Sequence, residues 1–178
     1  MGSNPIIILG SSRSKGDTHT AVQMIVREIP VPIIDLNKLN ISYYDYDNRN
    51  RNDDFISLAE QMVEHSPIIL ATPVYWYSMS AIMKTFIDRW SDLIGFRKDL
   101  GRRLAGKKLF LITSYGTILP KGFEDPFSQT CSYLEMLYGG CFYFYSGKDE
   151  KLIKQNEAAS KNFISKIAEA IALLGDNT

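Results

Sequence analysis

Apolar residues fall in short unbroken runs separated by amphipathic stretches, and this alternation predicts the elements. Pro5-Ile6-Ile7-Ile8-Leu9 is a continuous, largely β-branched run closed by Gly10, the pattern of a strand covered on both faces in a parallel sheet. Thr18 to Ile29 then sets Ala21, Val22, Ile25 and Val26 at helical spacing until Pro30 ends it. A second apolar run, Val31 to Leu36, leads into a polar, aromatic loop from Asn37 to Asp53 that is too long for a simple connector. Asp53 or Asp54 caps the next predicted helix, which reaches His65 with Ile56, Ala59, Met62 and Val63 inward and stops at Ser66-Pro67. Ile68 to Ala71 is the third predicted strand, and Met79 to Leu93 a helix that buries Ile82, Met83, Phe86, Ile87 and Trp90. Leu109 to Thr113 predicts a fourth strand, Phe127 to Tyr138 a helix, Cys141 to Tyr145 a fifth strand, and Lys151 to Leu174 a long closing helix.

Five strands alternating with five helices, without repeats or linkers, predict a doubly wound parallel α/β sandwich in which residues 1–178 form a single domain. Such sheets bind ligands outside the carboxyl ends of their strands, so the loops after strands one, three and four draw attention. Composition leaves this picture intact: 178 residues with 45% apolar and 22% charged side chains bury a core without disulfides or metal staples. Twenty Lys plus Arg balance twenty Asp plus Glu, so no net field draws nucleic acid. No charged start leads into an apolar stretch and cleavage site, and the expectation is a cytoplasmic protein without a membrane partner. Cys131 and Cys141 have no metal-ligand spacing, so no metal site is expected and both read as core or helix-face residues. His19 and His65 read as structural or surface residues, since no Gly-x-Ser-x-Gly elbow accompanies them. Met1-Gly2-Ser3 precedes the first apolar run and carries no chemistry.

The loop from Gly10 to Thr20 leaves strand one and enters helix one, where converging backbone N–H groups favour an anion. Ser11, Ser14, Thr18 and Thr20 add hydroxyl donors, and Arg13 and Lys15 add positive charge suited to a phosphate dianion. A triphosphate-binding loop fits poorly, because five residues separate Gly10 from Gly16 and no Lys-Ser or Lys-Thr follows. The dinucleotide fingerprint Gly-x-Gly-x-x-Gly is absent as well, which leaves a mononucleotide phosphate as the better candidate. After strand three, Tyr75-Trp76-Tyr77 places three consecutive aromatics at the same edge, where they suit a planar ring.

Gly10-Ser11-Ser12-Arg13-Ser14 with Gly16-Asp17-Thr18, and Thr72-Pro73-Val74-Tyr75-Trp76-Tyr77-Ser78-Met79-Ser80 continuing into Lys84-Thr85-Phe86-Ile87-Asp88-Arg89-Trp90, resemble the NADPH-dependent FMN reductases of flavodoxin-like fold. The resemblance extends to the order of elements over nearly the whole chain. It implies a five-stranded parallel sheet of order 2-1-3-4-5 with helices on both faces. It also implies FMN as cofactor, with Ser11, Arg13, Gly16, Asp17 and Thr18 around the phosphate and Ser14, His19 and Thr20 completing the cofactor-binding set of that loop. Pro73, Val74, Tyr75, Trp76, Tyr77 and Ser78 would line the isoalloxazine ring, and Ser114-Tyr115-Gly116 would meet its pyrimidine end. Asp17 stands where relatives commonly carry Asn, and a carboxylate beside a phosphate repels it unless the helix N-terminus or Arg13 offsets the charge. Tyr43 to Arg49 occupies the loop in which a related branch carries cysteines for an iron–sulfur cluster, so none is ligated there.

The function so implied is hydride transfer from NADPH or NADH to flavin N5, followed by electron delivery to a small acceptor: a quinone, azo or nitro compound, free flavin, metal ion or oxygen. The cofactor carries the chemistry, so no catalytic side chain is nominated. The alternative is a flavodoxin-type electron carrier acting through a partner protein, against which the balanced charge argues. A phosphate-binding regulatory module without redox chemistry is the third reading. Arg97-Lys98, Arg102-Arg103 and Lys107-Lys108 read as a solvated loop in preference to a 2′-phosphate site. The resemblance further implies a homodimer or homotetramer, and the tyrosines after strand two suit both a substrate pocket and a subunit interface.

Overall fold

In the computed structural model, which describes residues 4–175, each central strand serves two cores at once. Strand β1 (Ile6–Leu9) sends Ile6 and Ile8 into one and Ile7 and Leu9 into the other, as the two-residue period of a strand requires. Strands β3 (Ile68–Pro73) and β4 (Lys108–Tyr115) repeat this, with Ile68, Leu70, Leu109 and Leu111 on the first side and Ile69, Ala71, Phe110 and Ile112 on the second. Burial on both faces explains why these strands read as unbroken apolar runs. With β2 (Ile33–Asp35) and β5 (Leu137–Tyr145) they form one sheet of order β2-β1-β3-β4-β5, and every pairing is parallel. This is the flavodoxin-like order.

Helices α1 (Asp17–Val26) and α7 (Glu150–Gly175) cover one face. The other face carries α2 (Phe55–Met62), α3 (Ala81–Asp88), α4 (Ser91–Ile94), α5 (Lys98–Arg102) and α6 (Asp125–Tyr133). Met1-Gly2-Ser3 lies outside the described residues.

Three expectations are corrected. The helix expected over Met79–Leu93 starts later, because the Ser80 hydroxyl caps it by accepting from Met83 N at 3.2 Å, and it breaks after Asp88 before a separate α4. The helix expected to reach Tyr138 ends at Tyr133, since Glu135 takes a left-handed conformation and Leu137 N bonds Lys107 O at 2.9 Å to open β5. Strand β5 therefore gains four residues at its start, and a bulge at Gly139 keeps Tyr138 and Cys141 on one face. A side chain at Gly139 would run into the Phe110 ring. Lastly, the basic stretch is only in part a solvated loop: Lys98, Arg102 and Arg103 are exposed, but the rest departs from that expectation. Arg97 bridges Glu60 and Asp99, each at 2.9 Å, Lys98 to Arg102 are helical, and Lys107 is buried with its ammonium donating to His65 O at 3.0 Å.

Loop 37–53 is held by Arg89 at the end of α3. Its guanidinium is 1% exposed, pairs with Asp53 and with Asp92 (2.8 Å), donates to Ser42 O at 3.0 Å and Asn50 O at 3.4 Å, and stacks 4.7 Å over Phe55. Asp53 also accepts from Ser42 N and Phe55 N, and Asp54 from Asn40 N, so the loop closes on α2 through side chain to backbone bonds. Burial works against the charge on Arg89, but the hydrogen bonds to Asp53 and Asp92 outweigh it and hold the group above its ordinary pKa.

Candidate functional site

The parallel strands deliver their following loops to one rim, where side chains tie them together. Ser80 Oγ donates to Gly10 O at 2.6 Å, joining the loop after β3 to that after β1, and its own backbone N–H donates to Thr72 Oγ1 at 3.0 Å. Thr18 Oγ1 and Ser114 Oγ, both buried, lie 2.7 Å apart and join the start of α1 to the end of β4. Val74 N donates to Ser114 O at 2.9 Å, and Ser12 Oγ and the Tyr75 hydroxyl lie 2.9 Å apart across the mouth. All three loops singled out in the sequence therefore meet.

In the first loop, no side chain among the described residues caps the N-terminus of α1 at Gly16, so the first-turn amides remain open to an anion. Ser11 is buried, with its Oγ accepting from Arg13 N at 3.4 Å, while Arg13, Lys15 and Asp17 are exposed. Ser14 Oγ accepts from Asn37 Nδ2 at 3.5 Å. His19 and Thr20 contact their own helix, His19 Nε2 lying 3.4 Å from Gln23 and the Thr20 hydroxyl donating to Gly16 O at 3.3 Å. Neither bond directs a side chain toward the other two loops.

The second loop is a two-residue hairpin. Tyr75 and Ser78 exchange backbone bonds of 2.9 and 3.1 Å, and the central Trp76 and Tyr77 have φ of 47° and 67°. These are the values of a type I′ turn, which favours Asn and Gly. Two bulky aromatics in a left-handed conformation carry backbone strain, and Trp76 is also 93% and Tyr77 67% exposed. Strain and apolar exposure on the same two residues both oppose stability, the combination expected where side chains await a ligand.

Facing the hairpin, Tyr115, Gly116 and Ile118 complete an open cleft of about 310 Å³ with Val74, Trp76 and Tyr77. A Cβ at Gly116 would find only Ser146 Oγ, at 3.9 Å, so any side chain there would project into open space beside this cleft. Tyr115 packs edge-on to Tyr145 at 5.6 Å, and burial followed by Tyr145 pushes its phenol pKa up. At the far end of the same loop, Glu124 accepts from the hydroxyls of Tyr138, at 2.6 Å, and of Tyr143, anchoring the loop to β5. Cys131 is driven up to about 11 and Cys141 well above its ordinary range, each first by burial, so both stay thiols and nucleophilic roles are disfavoured.

The sequence places Ser12, Thr72 and Ser80 on the rim loops without marking them as site residues, and it does not bring Glu124 or the end of β5 there. Ser80 carried a usable signal, a serine just before an apolar helical run. Ser12 and Glu124 act through partners farther along the chain, Tyr75 for the first and Tyr138 and Tyr143 for the second.

Residues 5–151 match the family model described as NADPH-dependent FMN reductase. Over 119 residues the chain is 30% identical to YwqN of Bacillus subtilis (strain 168), whose name assigns it to the NAD(P)H-dependent FMN-containing oxidoreductases; the match covers 62% of this chain and 65% of YwqN. The chain spans between 43% and 65% of the length of the curated relatives it matches. Among solved structures, the fold is similar to the Trp repressor binding protein from Bacillus subtilis, with a TM-score of 0.71 at 22% identity over 89% of this chain and 96% of that one. It is also similar to an FMN-dependent NADH-azoreductase from Bacillus anthracis solved with FMN, with a TM-score of 0.67 at 10% identity over 93% and 98% of the two chains.

Proposed function

This chain belongs to the NADPH-dependent FMN reductase family, and on that premise we propose that it holds FMN at the rim and uses it to move electrons from NADPH or NADH to a small acceptor. The observation that carries this reading is the convergence of an uncapped helix N-terminus and an exposed aromatic hairpin at one edge of the sheet. The donor set fits the cofactor: open amides and two exposed cations suit a phosphate dianion, and a flat-walled cleft suits a tricyclic ring.

In this reading Ser11, Arg13, Ser14, Gly16, Asp17 and Thr18 surround the phosphate, with His19 and Thr20 behind them on α1. The exposed Arg13 and Lys15 offset the carboxylate of Asp17. Pro73 to Ser78 wall the ring on one side, while Ser114, Tyr115 and Gly116 offer backbone groups at its polar end. FMN, when bound, supplies hydride acceptance from the nicotinamide at N5 and release of electrons to the second substrate. The protein's share is to position the ring, exclude water from one face and leave the other open, so no side chain needs to act as acid or base. Trp76 and Tyr77 narrow the entrance and favour planar partners. We also read residues 1–178 as one domain that assembles as a homodimer or homotetramer, for which the exposed Ile94, Phe96, Tyr133 and Leu137 offer apolar area.

Anaerobic titration of the FMN-loaded protein with NADPH or NADH tests the reading. Bleaching of the flavin at catalytic rates is expected. Flavin that binds but resists both nucleotides would leave an electron carrier instead, and failure to retain FMN would remove the cofactor assignment.

A further inference from the structure

We propose that the cleft between loop 37–53 and the first turns of α3 is a purine subsite for the nicotinamide dinucleotide, an inference that rests on the reductase reading above. The cleft measures about 350 Å³, within the range of small-ligand sites. Leu36, Leu39, Ile41 and Ile82 form apolar walls. Asn37, Ser42, Tyr43 and Thr85 add amide and hydroxyl groups, and among the described residues no Lys, Arg, Asp or Glu lines the space. Nothing in it neutralises a phosphate or a cation, so its chemistry selects an uncharged flat ring with hydrogen-bonding edges. A purine meets that description. The Asn37 amide, whose Nδ2 donates one N–H to Ser14 Oγ, keeps its oxygen and a second N–H side by side, and Tyr43, 79% exposed, is free to cover a ring face.

Position supports the same occupant. The cleft opens beyond the carboxyl end of β2, at one end of the rim, whereas the aromatic hairpin follows β3 and is bonded to the end of β4. From β2 to the β3–β4 boundary is two and a half strand spacings, about 12 Å at ~4.8 Å each. Two rings joined through a pyrophosphate suit that separation. The cleft is a built feature of the fold, because Arg89 fixes its Ser42 wall through the Ser42 carbonyl and Asp53.

The test compares NADH with reduced nicotinamide mononucleotide, which lacks the purine, on the FMN-loaded protein. Thr85→Phe fills the cleft and Asn37→Ala removes its polar edge. The expected result is that the wild type prefers NADH in kcat/KM, that Thr85→Phe lowers this preference at least tenfold and Asn37→Ala at least threefold, mainly through the KM for NADH, and that adenosine competes with NADH on the wild type. A wild type without that preference, or a Thr85→Phe variant that retains it, overturns the purine subsite even where flavin reduction proceeds normally. Should Thr85→Phe fail to fold, absence of adenosine competition together with an intact preference in Asn37→Ala overturns it equally. If neither nucleotide bleaches the flavin of the wild type, the reductase reading falls and the subsite with it.

Discussion

Replacing Arg89 with Met removes the one cation among three groups that are each under 7% exposed, Arg89, Asp53 and Asp92. Methionine fills most of the volume and leaves two buried carboxylates without their shared cation, while Ser42 O and Asn50 O lose a donor. Breaking a buried ion pair from one side costs about 3–5 kcal/mol. Against a total stability of roughly 5–15 kcal/mol, that is a large fraction. In a chain of 178 residues, each kcal/mol displaces Tm by about 2–4 °C, so the variant should melt roughly 6–20 °C lower. Circular dichroism measures this directly. Adding Asp53→Asn and Asp92→Asn removes the stranded charges and should recover about half of the loss. Loop 37–53 should also loosen before the core, so limited trypsin digestion should cut after Arg49 or Arg51 in the single variant and spare the wild type. A Tm within about 3 °C of wild type, or no recovery in the triple variant, would refute the claim that Arg89 organises the loop.

Three further outcomes follow from the site and the core. Trp76→Asn with Tyr77→Gly installs the residues a type I′ turn prefers and should raise stability by about 1–2 kcal/mol while weakening FMN binding at least fivefold; unaltered affinity would detach the hairpin from the cofactor. Arg13→Ala with Thr18→Ala should weaken flavin retention, and an unchanged FMN affinity in titration calorimetry would refute the phosphate assignment. Burial drives Cys131 to about 11 and raises Cys141, and burial followed by the bond to Glu124 raises Tyr138 and Tyr143. A raised folded-state pKa stabilises fully below the unfolded value and loses that contribution as pH climbs through the folded one, so urea melts should weaken from about pH 9 toward pH 11. Two of the ten tyrosines should then ionise only on unfolding, as absorbance at alkaline pH would register; a flat stability profile would contradict this.

Continuous runs such as Ile6 to Leu9 and Leu109 to Thr113 identify the strands because burial on both faces leaves no place for polar alternation. The helix boundary at Tyr133 was not legible for the opposite reason. Leu134, Met136 and Tyr138 continue an apolar pattern that α6 does not follow, since Glu135 turns the chain and the pairing with β4 decides where β5 begins. At the rim, the loops themselves could be read from their place after apolar strands. Their ties could not. Thr18 meets Ser114 across 96 positions, Ser12 meets Tyr75 across 63, and Arg89 meets Asp53 across 36, and no local pattern encodes such partners.

Hydrogen exchange of the backbone amides, read by mass spectrometry with and without FMN, tests the meeting of these loops around one cofactor most directly. Protection should appear together in residues 11–20, 74–78 and 114–116 and be weaker elsewhere. Protection confined to a single loop, or centred on the opposite edge of the sheet, would contradict the account.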